Sequence, residues 1–384
     1  MNRMTIRRAM LATLGACAFP ALADLAISAN ENKVYTDGGV VKNVANPAPD
    51  NVAIIDKAAS PPRIIAEVKA ATSVVGPPLS VAITRDESLA LVSAATKVDP
   101  ADATKTVPHN ALTVIDLKAN PPAVIATLEA GLGAAGVSIN RDGTLALVAN
   151  RNEGTVSVFT ISGKTVTPAG KVKLGDEKSG PCYAAFSPDG KSALVTRDGD
   201  NYVSMLSIDG SKVEKVGRDF ATGIRPYGIG IVPDGSAAVV ANIGRGLGDV
   251  DTVSLIDLVA NPPRVVDTVS VGPLPEGLRL SPDGKIAAVT VQDGTTKAKA
   301  SPYYTPGGKL VLVRIDGKRL AKVAEAPIGG WSQGIAFSRD GKTILVQNMI
   351  EKDIQVFRLE GDRLTDTGQR IKLNGGGAAI QTSW

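Results

Sequence analysis

Residues 136–174 read GVSINRDGTLALVANRNEGTVSVFTISGKTVTPAGKVKL. Four extended runs can be cut from this stretch: Gly136–Ile139, Leu145–Ala149, Val156–Ile161 and Gly170–Leu174. Each is short, rich in β-branched residues and bounded by turn-forming Gly, Asp or Asn, the pattern of strands in an antiparallel sheet. Between the first two stands Asn140-Arg141-Asp142-Gly143, whose glycine supplies the positive φ of a tight corner without a Cβ clash.

The corner recurs as Thr84-Arg85-Asp86-Glu87, Ser187-Pro188-Asp189-Gly190, Val232-Pro233-Asp234-Gly235, Ser281-Pro282-Asp283-Gly284 and Ser338-Arg339-Asp340-Gly341. Successive aspartates lie 56, 47, 45, 49 and 57 residues apart, which marks a radial or stacked array with insertions. A second phrase repeats between third and fourth strands: Ile55-Asp56, Ile115-Asp116 and Ile256-Asp257 each lead to a Pro-Pro turn at 61–62, 121–122 and 262–263. The chain ends supply one more unit. Lys33–Thr36, Asn51–Ile55 and Arg63–Glu67 read as second, third and fourth strands lacking a first, and Gly377–Gln381 reads as a first strand lacking the rest. Joined, they close a ring. The sequence therefore predicts an all-β, seven-bladed β-propeller of four-stranded antiparallel blades, its N- and C-terminal segments sharing one blade, which removes exposed sheet edges. No segment past residue 23 sustains helical apolar spacing, so almost no helix is expected.

Composition agrees with such a fold. The 384 residues are 43% hydrophobic but only 4% aromatic, so the core must be aliphatic, and 40 Gly with 24 Pro supply the turns. Residues 1–23 read as a cleaved secretory leader: Arg3, Arg7 and Arg8, an apolar stretch Ala9–Phe19, then Ala21-Leu22-Ala23. That stretch is too short to span a bilayer. The paired arginines also admit a twin-arginine route, and Leu14–Cys17 faintly resembles a lipoprotein box. Residues 24–384 are then one propeller domain in the periplasm. Removing the leader takes away three arginines and no acid, lowering the formal charge from +4 to +1. A nearly neutral chain argues against a nucleic-acid partner. Cys182 is then the sole cysteine, which excludes an intramolecular disulfide; it is expected to be a buried apolar residue.

With the repeat in view the chain resembles the lactonase-type, or Tyr-Val-Thr-Asn-repeat, β-propeller family. The resemblance rests on the Ser-Pro-Asp-Gly corners, on the strand ends Val148-Ala149-Asn150, Val240-Ala241-Asn242 and Val195-Thr196-Arg197, and on Val253-Ser254-Leu255-Ile256-Asp257. It covers nearly all of residues 25–384 and is specific for fold, not function. It implies sugar-lactone hydrolases, a muconate-cycloisomerising activity or exported binding proteins, with a ligand site at one mouth of the central channel.

Four long connections, about 37–50, 97–110, 243–251 and 292–308, are expected on one face and would build that mouth. Its expected polar residues are Arg151, Arg197, Arg225, Asn242, Arg245, Glu276, Gln333 and Asn348, with Tyr227, Trp331, Tyr303 and Tyr304 able to stack on a ligand. Several arginines beside one carboxylate favour an anionic ligand, since guanidinium pairs bidentately with carboxylate or phosphate; pairing across neighbouring blades is the plainer alternative. His109, the only histidine, lies in the 97–110 connection and is a candidate base. No Cys-x-x-Cys-His, Walker loop or Gly-x-Ser-x-Gly is present, and one histidine with one cysteine cannot furnish a zinc site, so no cofactor or metal is expected. Two readings remain open. One is a non-catalytic exported propeller binding a small anionic molecule or a periplasmic protein. The other, permitted by the resemblance, is a cofactor-independent lactone hydrolase or cycloisomerase in which an arginine holds the substrate and Glu276 or His109 moves the proton.

Overall fold

The computed structural model describes residues 24–383, and the leader reading falls outside them. Seven four-stranded antiparallel sheets follow one another around a ring, and the described residues contain no helix. Blade I is closed by both ends of the chain: Gly376–Thr382 is its inner strand, followed by Leu25–Glu31, Asn51–Asp56 and Arg63–Lys69. Blades II to VII begin with the inner strands Val81–Ile83, Ala134–Ile139, Pro181–Phe186, Pro226–Ile231, Pro275–Leu280 and Ser332–Phe337. The inner strand of blade I packs against those of both blade II and blade VII, which closes the ring.

The second strand of blade I is displaced from its expected place. Ile380 pairs with Ser28, not with the segment holding Tyr35. Val34–Asp37 pairs instead with Val40–Asn43 as a separate hairpin on the mouth. The reason is apolar burial: Leu25, Ala26, Ile27 and Ala29 are all buried, whereas Val34–Asp37 alternates between half-buried and exposed. The 97–110 connection also differs. It is no loop but an extension of the second and third strands of blade II, Leu89–Asp99 and Asp102–Asp116, which places His109 on a strand.

Seven apolar clusters hold the ring, each between two neighbouring blades. They are aliphatic apart from a few rings such as Phe159, Phe337 and Phe357, all fully buried. Truncating such a phenylalanine to Ala costs about 3–5 kcal/mol through lost transfer energy and the cavity left behind. The corners show why their residue types recur. Ser187 Oγ donates to Asp189 Oδ1 (2.6 Å) and accepts from the Ser192 N–H (3.0 Å), while Gly190 adopts φ +70°. Blade II has Glu87 where most corners have Gly, at φ +55°, and the side chain is used: Glu87 Oε1 accepts from the Leu25 N–H (3.0 Å) and the Ser383 hydroxyl (2.9 Å). One buried carboxylate thus ties both chain ends of blade I to blade II.

Candidate functional site

A blade's second strand ends at the mouth, and there the pleat sends successive side chains in opposite directions. The terminal residue turns back into its own blade. Asn150 accepts from the Gly131 N–H (3.0 Å) and donates to Thr155 (2.8 Å) and Ser157 (3.0 Å). Asn242 and Asn348 are held the same way, by Thr222, Thr252 and Ser254 and by Gly329, Ser332 and Asp353. Arg197 occupies the same position in blade IV, bonding Asp219 (2.7 Å), Ser204 (3.0 Å) and Asp200, with Tyr202 beneath its guanidinium. These three expected site residues therefore spend their polar groups inside their blades.

The following residue is the one that reaches the mouth: Arg151, Asp198, Gln292 and Met349 in blades III, IV, VI and VII. Asp198 is the centre of the polar half. It bridges Arg151 Nη2 (2.9 Å) and Arg225 Nη2 (2.8 Å), and Arg151 also donates to Cys182 Sγ (2.9 Å) and lies 5.9 Å from the Tyr227 ring centre. Burial works to raise the Asp198 carboxyl, but the two guanidinium charges outweigh it and hold it below the ordinary range. Cys182 is fully buried, which pushes its thiol up and keeps it an apolar neighbour. Arg225 stands at φ +56°, where blades III and IV carry Gly133 and Gly180; the conformation projects its side chain over the mouth.

Above this group lies a depression of about 520 Å³. Arg151, Arg225, Arg245 and Lys178 line it against only two acids, Asp198 and Glu177. Arg245 is exposed and makes no ion pair among the described residues.

Deeper in the channel, on the inner strand of blade VI, Glu276 is buried and accepts from Gln292 Nε2. Burial raises its carboxyl to about 7, against the weaker pull of Gln333, Gln292 and Arg225. Gln333 stands beside it, yet its amide reaches no partner in hydrogen-bond geometry. The structure thus brings Arg151, Arg225, Tyr227, Glu276 and Gln333 together along neighbouring blades, with Arg245 above. His109 is not among them. It lies on blade II beside the entry to blade III, where its carbonyl accepts from the Gly133 N–H (2.8 Å); its ring is half-buried near Lys97 and Lys33, and burial followed by those charges lowers its pKa.

The other half of the mouth is apolar and covered. Trp331 packs with Val74, Met349, Ala378 and Val34 instead of facing the depression. The insertions touch one another above it. Lys299 N–H donates to Gly38 O (2.8 Å), Lys297 reaches Gly246 O, and Gly248 lies against the Tyr303 ring. Loops of blades I, V and VI so form one wall, leaving the depression over blades III to V. Asp198 and Gln292 were missed by sequence reasoning; a shift of one residue past each second-strand end would have found them.

No family model matches the chain, and no curated protein does. Solved structures do, and they define the class: the chain has the seven-bladed fold of the lactonase-type propellers. A Bacteroides fragilis protein provisionally named a 6-phosphogluconolactonase superposes at TM-score 0.70 with 16% identity over 95% of this chain and 99% of its own. The periplasmic gluconolactonase PpgL of Pseudomonas aeruginosa superposes at 0.65, with 18% identity over 94% and 98%. Kuenenia stuttgartiensis hydrazine synthase also matches, at 0.62 and 20% identity over 81% and 91%.

Proposed function

We propose that the loop-rich mouth binds a small anionic molecule, a hydroxylated acid in size and character, in a chain exported to the periplasm. The observation that carries this is the excess of four cations over two acids around a depression of about 520 Å³. Arg245 and Arg225 offer guanidinium donors to a carboxylate or phosphate, and Asp198 fixes Arg225 and Arg151 in place for it. Calorimetric titration with D-gluconate tests the reading. Binding should weaken by about ten-fold or more in Arg225→Gln/Arg245→Gln, since each lost charge-assisted bond is worth about 1.5–3 kcal/mol. Equal affinity in the variant would reject it.

A second reading, opening of the lactone of such an acid, is favoured by Glu276. A buried carboxyl poised at about 7 beside a cationic mouth suits a proton donor or acceptor. The lactonase names of two structural neighbours point the same way. Gluconolactone hydrolysis that falls about 100-fold or more in Glu276→Gln, with folding intact, would support it. Turnover indistinguishable from the uncatalysed rate in the unaltered protein would exclude it.

A further inference from the structure

The channel has a second mouth, on the face of the Ser-Pro-Asp-Gly corners, and a cavity of about 430 Å³ opens there. Arg279, from the inner strand of blade VI, lines it beside Tyr183. Its Nε and Nη2 are shut from solvent and bond to nothing. These two nitrogens form one edge of the guanidinium, the edge that takes both oxygens of a carboxylate or phosphate at once. Ser138 Oγ, in the same cavity, is likewise buried and without a partner. Arg85, Arg141 and Arg339 stand around the cavity, and no Asp or Glu lines it. Arg151 and Arg197 at the other mouth differ, for each holds a carboxylate. Ala82, Ala185 and Gly230 in neighbouring blades leave the space open. A guanidinium edge withdrawn from water and bonded to nothing is costly to keep unless something pairs with it.

We propose that the corner-side mouth is a second ligand site, taking a small carboxylate or phosphate on Arg279 among Arg85, Arg141 and Arg339, the guanidinium turning its unpaired edge toward the cavity as the anion enters and Ser138 adding a hydrogen-bonding group. It is separate from the loop-rich mouth and does not depend on that site being real.

The test uses the Arg225→Gln/Arg245→Gln protein, in which the loop-rich mouth is disarmed. Inorganic phosphate and malonate are titrated separately by calorimetry at matched ionic strength. One site of binding should remain for at least one probe and weaken about ten-fold or more when Arg279→Gln is added. The probe retained tells phosphate from carboxylate. No residual binding, or residual binding indifferent to Arg279→Gln, would overturn the proposal. If the loop-rich reading alone fails, the double variant binds like the unaltered chain while the Arg279 dependence persists. Arg279→Gln should also unfold at the same or a higher temperature in anion-free buffer. A lower midpoint would mean that the guanidinium is already satisfied within the protein, which contradicts the proposal. Arg279→Lys, which keeps the charge but loses the fork, should bind more weakly than the parent and more tightly than Arg279→Gln.

Discussion

Glu276→Gln should stabilise the protein at alkaline pH and leave it unchanged in acid. The folded carboxyl titrates at about 7 against an ordinary value of 4.5, because burial disfavours its charge. Below 4.5 both folded and unfolded chains hold the proton, and the group's contribution is fully present. Between 4.5 and 7 only the folded chain does, so stability drains away as pH rises through that window. The gap of 2.5 pH units converts to about 3 kcal/mol at pH 8. A glutamine keeps an oxygen for the Gln292 amide and has no proton to lose. Urea unfolding at pH 4 and pH 8, with equal m-values, reads the difference directly. The variant should match the parent at pH 4 and exceed it by about 3 kcal/mol at pH 8. A gap of the same size at both pH values would show instead that the carboxyl is ionised normally in the fold.

Glu87→Ala removes the acceptor shared by Leu25 and Ser383 and should lower stability by about 1–3 kcal/mol in denaturant unfolding, with Glu87→Gln losing less. Arg197→Ala should cost about 1.5–3 kcal/mol, because the half-buried Asp200 loses its partner while Asp219 keeps Lys215 and Ser204, yet leave gluconate affinity unchanged in the same titration. Arg245→Ala should do the reverse, weakening gluconate while the unfolding midpoint stays put. Asp198→Asn should lower the unfolding midpoint, since two guanidiniums lose their shared counter-charge.

The blades were legible because their signals are local. A serine, an aspartate and a glycine within four residues make the corner, as Ser187, Asp189 and Gly190 show, and nothing distant is needed. Ring closure was legible for a different reason: a lone first strand at one end called for a partner at the other. The closing strand itself was misplaced because Leu25–Glu31 directly follows the apolar residues up to 23, while Val34–Thr36 has a strand's composition without its burial. In the extended hairpin of blade II, half-buried and exposed positions do not alternate cleanly, so 97–110 read as a loop and His109 as a free base. The site was half legible. Arg151 and Asp198 are 47 residues apart and meet only because blades III and IV adjoin, a contact no local pattern announces. Arg197, an arginine at a strand end, reads as a mouth residue, but the pleat turns it into its own blade and sends the next residue, Asp198, to the mouth.

If the loop-rich mouth binds as proposed, charge selects its ligand. Titrating the protein of residues 24–384 with D-gluconate and, separately, with neutral D-glucose isolates that charge at nearly constant size. Gluconate should bind at least about ten times more tightly, with the preference shrinking as salt screens it. Equal affinities for acid and sugar, unmoved by ionic strength, would contradict it.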